Sequence, residues 1–212
     1  MPLNRADVVR GALDLLDEVG LDRLTTRALT TRLGVAPGAL YWHVRSKAEL
    51  LAALAEEIMR EAFTAPDEPG PRAVEPVGDW AAQTAAFAHR TRRAMLAHRD
   101  GARVVAGHLP LTAAALDASE AGLTLLRAAG LPLDRAAYFG NAVASYVTGF
   151  VLQEQAQPTP EAVPAAALAE LSAQRHPNLT RWTASRPTDR EAAFTAGLDL
   201  IVNGLRAELA TG

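Results

Sequence analysis

The stretch TTRALTTRLGVAPGALYWH, residues 25–43, decides how this 212-residue chain is read. Thr25 or Thr26 can open a short helix that turns Ala28, Leu29 and Leu33 to one side, and Gly34 ends it in the left-handed conformation that glycine adopts without steric penalty. After Val35 and Ala36, Pro37 suits the first position of another helix, because the N–H it lacks would have no helical partner there. The spacing predicts that this helix runs to about His43, with Leu40 and Val44 four residues apart on its inner side. Two short helices around a tight turn, the second carrying small and polar side chains, meet the geometric needs of a helix-turn-helix, whose second helix enters the DNA major groove.

Working outward, Asn4 can cap a helix over 5–19, whose apolar residues Val8, Ala12, Leu15, Leu16 and Val19 recur at helical spacing before Gly20 stops it. Downstream, Ser46 and Glu49 form a capping box ahead of Leu50, Leu51, Leu54 and Ile58, which mark a long helix ending near Phe63. Residues 1–45 are therefore expected to form a three-helix DNA-binding domain, with 46–63 as a connecting helix. Pro66, Pro69, Pro71 and Pro76 make 64–78 a linker. From 79 to 212 the chain reads as a second, larger helical domain, with helices over 80–98, 112–129 and 134–157 and a break at 130–132.

Pro158, Pro160, Pro164, Pro177 and Pro187 bracket a segment with room for one short helix. Thr188 and Glu191 then suggest a capping box for a last helix, with Phe194, Leu198, Ile201, Leu205 and Leu209 at steps of three and four. That stripe must be buried, either within the chain or across a helix bundle shared by two subunits. Gly197 and Gly204 lie near the same face and would let a partner helix approach closely, at up to about 1 kcal/mol of helix stability each. Phe194, Gly197, Leu198, Ile201, Gly204 and Leu205 are thus the expected dimer interface. The expected fold class is all-α.

Composition sets the outer limits. Hydrophobic residues make up 49% and charged residues 21%, ordinary for a globular protein, while 5% aromatic content and few β-branched runs favour helix over sheet. Without cysteine there is neither disulfide nor thiolate chemistry, and the start of the chain has no apolar signal core, so a cytoplasmic location is expected. No run approaches the roughly 20 apolar residues of a membrane span. A net charge of −3 argues against a nucleic-acid partner until its distribution is seen. Arg23, Arg27, Arg32, Arg45 and Lys47 lie together with no Asp or Glu among them, a local +5 that leaves −8 elsewhere.

Enzyme signatures are missing from the sequence: there is no glycine-rich phosphate loop, no nucleophile elbow and no His pair at metal-ligand spacing. His98, Arg99 and Asp100 match part of a kinase catalytic loop, but Val105 stands where that loop needs Asn. No cofactor, metal or enzymatic activity is expected.

The runs LTTRAL (24–29) and LGVAPGALYWHVRSK (33–47) resemble the TetR family of bacterial repressors, and the likeness covers residues 4–63. It continues into HRDGARV (98–104) and TGFVLQEQ (148–155), which are similar to the tetracycline-repressor subgroup, whose second domain binds the drug and forms the dimer. The resemblance implies a homodimer on a palindromic double-stranded DNA operator, released by a small-molecule effector. Thr26, Arg27, Pro37, Gly38, Ala39, Tyr41, Trp42, His43 and Lys47 are its DNA-contact positions. Arg27 can pair with a guanine edge, Thr26, Tyr41, His43 and Lys47 can hold phosphates, and Trp42 offers an apolar plane near the groove wall.

Departures from the subgroup are informative. Pro37, Gly38 and Ala39 replace a base-reading Gln-Pro-Thr, so the operator is expected to differ. In the tetracycline repressor a magnesium ion accompanies the drug, held by a His and by a Glu of the other subunit, where this sequence has Val105 and Gln153. Val offers no lone pair and Gln no charge, so a metal–tetracycline effector is not expected. Phe63 and Phe87 replace polar residues and Thr91 an aromatic one, making the implied pocket apolar with a repositioned hydroxyl. With His108 as a second polar anchor and Pro110 beside it, the expected effector is a small, largely apolar molecule. The alternative is a ligand-independent or activating DNA-binding protein whose second domain recruits a partner.

Overall fold

The computed structural model describes residues 3–63, 80–108, 112–156, 174–185 and 189–211, and among them every regular element is a helix. The N-terminal unit comprises α1 (Arg5–Val19), α2 (Thr26–Leu33), α3 (Pro37–Tyr41) and α4 (Lys47–Phe63). Local chemistry sets each boundary. Asn4 caps α1 reciprocally with Asp7: the Asp7 N–H donates to Asn4 Oδ1 at 2.9 Å and the Asn4 N–H to Asp7 Oδ2 at 3.3 Å. The Ala28 N–H donates to Thr25 Oγ1 at 3.1 Å to start α2. Gly34, at φ 65° and ψ 30°, closes it in the left-handed conformation.

Pro37 opens α3 as expected, but regular helix ends at Tyr41, two residues before His43. The His43 and Val44 N–H groups both donate to the Leu40 carbonyl, tightening the last turn. At the start of α4 the Glu49 N–H donates to Ser46 Oγ. The Glu49 carboxylate turns back one residue further than a capping box requires, accepting from the Arg45 N–H at 2.8 Å.

The larger unit holds α5 (Trp80–Leu96), α6 (Gly101–Gly107), α7 (Ala113–Ala128), α8 (Leu133–Ala156), α9 (Pro177–Ser185) and α10 (Arg190–Thr211). The short α6 has no counterpart in the sequence reading. It follows a sharp corner in which Asp100 takes φ 58° and Gly101 lies so close to the chain that a Cβ would sit 2.3 Å from the Met95 carbonyl oxygen. Only glycine fits there. Gln155 of α8 staples this corner, donating from Nε2 to the Met95 and His98 carbonyls while its Oε1 accepts the Ala102 N–H. Gly130, at φ 103°, makes the expected break between α7 and α8.

The cap of α10 also differs from expectation. Thr188 lies outside the described residues, and it is Asp189 whose carboxylate accepts the Glu191 and Ala192 N–H groups. The linker 64–78 and most of the Pro-rich segment 158–187 lie outside the described residues, which resume there at 174 and include α9.

One apolar core runs through both units. Leu16, Leu24, Leu29, Leu40 and Leu54 are buried around the helix-turn-helix, and α4 packs on α1 at one side and on α5 and α6 at the other. The connecting helix is therefore a wall common to both units. No helix of the described residues is long and apolar enough to cross a membrane.

Candidate nucleic-acid interface and effector site

Burial separates the inner and outer sides of the helix-turn-helix. Leu40 and Val44 are buried, so Tyr41 and Trp42 point away from the core, and Trp42 is 90% exposed. Pro37, Gly38, Arg27 and Lys47 are exposed, while Thr26, Ala39 and His43 are half-buried. No side chain closes over Gly38: a Cβ there would meet nothing within 4 Å. The second helix of the motif thus presents an open first turn followed by an aromatic end.

The five cations are not equivalent. Arg32 is taken up by Glu18 at 2.7 Å and Asp14 at 3.7 Å, and the Glu18 hydrogen bond holds its guanidinium above the usual range. Arg23 donates from Nε to the Val19 carbonyl at the end of α1. Arg23, Arg27, Arg45 and Lys47 have no ion-pair partner among the described residues, so their positive charge remains available to a phosphate backbone.

A polar joint ties this unit to the corner between α5 and α6, and sequence reasoning did not find it. Asp17 accepts from the Arg99 N–H at 2.9 Å and faces His98 Nδ1 at 3.0 Å. Asp100 accepts the Leu21 N–H at 2.8 Å, and Arg103 pairs with Asp22. These partners lie about eighty positions apart in sequence, so no local pattern announces them.

Of the expected effector residues, Phe87 and Thr91 stand on α5, Val105 and His108 at α6, and Gln153 on α8, and these three helices pack on one another. Thr91 is 7% exposed, yet its Oγ1 has no hydrogen-bond partner among the described residues. An unpaired buried hydroxyl costs about 1–3 kcal/mol, which a ligand acceptor or donor would recover. Phe87, Val105 and His108 are half-buried, and His108 Nδ1 lies 3.2 Å from the Val104 carbonyl. Gln153 is exposed and does not face this chain's interior. The Phe63 side chain and Pro110 lie outside the described residues. Among the described residues no group of three His, Asp or Glu side chains could hold a metal ion, and Val105 offers no donor atom.

The expected dimer stripe needs correction. Phe194, Leu198 and Leu205 are buried inside the chain itself and cannot meet a partner. Phe194 packs on Tyr146, Phe150 and His89, with Arg92 over its ring. Gly197 is small for the sake of this chain's own Tyr146: a Cβ would sit 2.2 Å from the phenol oxygen, which donates to the Phe194 carbonyl at 2.8 Å. Ile201 is half-buried, and Gly204 alone of the six is exposed and open. The periodicity was genuine but belonged to the inner face. The outer face of α10 carries Ala192, Ala196, Leu200 and Gly204 at steps of four, with Leu200 77% exposed. Beside it, α8 has no charged residue between Arg135 and Glu154, although Ala137, Tyr138, Asn141, Ala144 and Ser145 are exposed.

An all-α chain in which a helix-turn-helix unit is joined through α4 to a larger helical unit has the architecture of a two-part transcriptional regulator. Comparison with known proteins makes this specific. Residues 8–54 match the family of bacterial regulatory proteins named after TetR, and residues 72–209 match the tetracyclin repressor-like C-terminal domain. The class A tetracycline repressor from transposon 1721 of Escherichia coli is 40% identical over 200 residues, which cover 93% of this chain and 88% of that protein. A crystal structure of a possible TetR family transcriptional regulator from Streptomyces coelicolor is 38% identical and superposes with a TM-score of 0.81, covering 96% of this chain and 99% of the other. The Streptomyces coelicolor protein ActR, crystallised with (S)-DNPA, is 32% identical with a TM-score of 0.82, covering 98% and 99% of the two chains. This chain belongs to the TetR family of transcriptional regulators.

Proposed function

We propose that the protein is a homodimeric repressor that binds a palindromic operator and is released by a small, largely apolar effector other than metal-bound tetracycline. The observation that carries this reading is the outward presentation of Arg27, Tyr41, Trp42 and Lys47 around an open α3, on a unit packed through α4 against α5 and α6. Thr26, Pro37, Gly38, Ala39 and His43 complete the DNA face. Gly38 and Ala39 offer a backbone and a methyl group, so base reading falls mainly on Arg27 of α2. The effector reading is supported by the unpaired Thr91 hydroxyl and by the ActR relative, which was crystallised with small molecules. Release requires an effector that prefers a conformation with the two recognition helices wrongly spaced for adjacent grooves.

Gel-shift titration on DNA upstream of the protein's own coding sequence, with and without a library of apolar metabolites, tests the whole reading. Sequence-specific binding relieved by a library member supports it, and binding indifferent to every member while promoter output falls on deletion favours an activator. Arg27→Ala is expected to cost about 1–3 kcal/mol on the operator and to relax preference at one base pair. Single-base operator variants check this, and an unchanged preference profile would refute the base-reading role. Lys47→Ala is expected to weaken all duplexes alike and to lower the slope of log affinity against log salt by about 1. Thr91→Val, which removes the orphan hydroxyl, is expected to stabilise the free protein slightly, as read by its thermal midpoint, while weakening any effector that hydrogen-bonds there.

A further inference from the structure

Asp22 and Arg103 join the DNA-facing and effector-facing parts of the molecule through charge. Asp22 lies between α1 and α2, just ahead of the helix-turn-helix, and Arg103 sits on α6 two residues before Val105. Arg103 Nη2 donates to Asp22 Oδ1 at 2.8 Å and Nη1 to Oδ2 at 3.3 Å, so both carboxylate oxygens are engaged. Nη1 also lies 3.2 Å from Asp100 Oδ1, which aims the guanidinium from the corner just ahead of α6. The Arg103 hydrogen bond, and then its charge, hold the Asp22 carboxyl below the usual carboxylate range, and the charge of Lys47 acts in the same direction. Asp22 is therefore an ionised group within the field of the ammonium at the start of α4.

We propose that Arg103 is a movable countercharge that masks Asp22 and so preserves the phosphate-binding potential of Lys47. With α6 in place, the Asp22 carboxylate is paired with the guanidinium and its field at Lys47 is reduced. A shift of α6 withdraws the guanidinium, and the bare carboxylate then opposes both Lys47 and the nearby phosphates. Repulsion of this kind reaches over about a Debye length, roughly 10 Å at 0.1 M salt, so it needs no direct contact with DNA. Arg103 is thus a positioning residue that converts movement of an effector helix into a change of charge on the DNA side. This inference rests on the reading of residues 25–47 as the DNA interface and of α6 as an effector helix.

The test measures binding of the full-length parent, Arg103→Gln, Asp22→Asn, the double variant and Arg103→Lys to two probes, a random-sequence duplex and a selected operator, across a potassium chloride series. Arg103→Gln is expected to weaken both probes by about threefold to fivefold at low salt, with the deficit shrinking as salt rises. Asp22→Asn is expected to bind at least as tightly as the parent, and the double variant to match Asp22→Asn within about twofold. Arg103→Lys keeps the countercharge and is expected to behave as the parent. Were the pair merely a structural clamp, Asp22→Asn would weaken binding as much as Arg103→Gln, and that result would overturn the proposal. A parent that bound neither probe would instead overturn the DNA reading and this inference with it.

Discussion

Leu200→Arg is expected to leave the chain folded but monomeric, and to weaken operator binding by about a hundredfold or more. Leu200 is 77% exposed at the centre of a row with Ala196 and Gly204, flanked by an α8 surface that carries no charge between Arg135 and Glu154. A solvated helix face normally spreads charges along its length, whereas small uncharged side chains let two helices approach closely. In a two-fold interface the same patch meets itself, so an arginine introduced at position 200 brings two like charges together with apolar surroundings to desolvate them. Losing the proposed dimer would halve the contacts to a palindrome and forfeit the effective concentration of the second reading head. Sedimentation equilibrium reads the oligomeric state, fluorescence anisotropy reads the operator, and a thermal melt shows that the fold persists. Leu116→Arg is the control, because Leu116 is 56% exposed on α7 and belongs to neither the α8 nor the α10 row of uncharged side chains, and the variant is expected to stay dimeric. A Leu200→Arg protein that still sedimented as a dimer would place the interface elsewhere.

The contrast between the two sides of α10 also marks how far the sequence could be read. Elements α1 to α4 were legible because each boundary is set by groups a few residues apart: Asn4 with Asp7, Thr25 with Ala28, Gly34 with Thr30 and Thr31, and Ser46 with Glu49. Helix α6 escaped because it is seven residues long, has no side-chain cap, and depends on a corner held by Gln155 from a helix some fifty positions away. The outward position of Tyr41 and Trp42 could be read because Leu40 and Val44 claim the inner side of α3. What covers the stripe of α10 could not, because α10 is apolar on two faces, and periodicity selects the face with the larger side chains without saying what lies against it. The joint of Asp17, Asp22, Asp100 and Arg103 is invisible for a related reason: surface acids and bases look alike in sequence until the fold pairs them.

Phe194→Ala is expected to destabilise the protein by about 3–5 kcal/mol, the range for truncating a buried aromatic ring in a core that cannot collapse around the gap. Phe194 is fully buried, its ring centroid 5.4 Å from that of Tyr146, 5.2 Å from that of Phe150 and 5.0 Å from that of His89. The Arg92 guanidinium carbon lies 5.2 Å from the same centroid, while that side chain, 6% exposed, pairs with Glu154 at 2.8 Å and with Glu191. Removing the ring therefore takes packing from α5 and α8 and strips one side from a buried cation whose desolvation is offset only while its partners stay in place. Phe194→Leu restores most of the volume but neither the ring stacking nor the cation–π contact, and a loss of about 1–2 kcal/mol is expected. Urea titrations at several fixed protein concentrations separate this from an interface effect, because a dimer contact would make the deficit vary with concentration. For Phe194 the deficit should persist at every concentration with an unchanged denaturant slope. A loss under about 1 kcal/mol, or one that vanished as concentration rose, would return Phe194 to the interface from which its burial removes it.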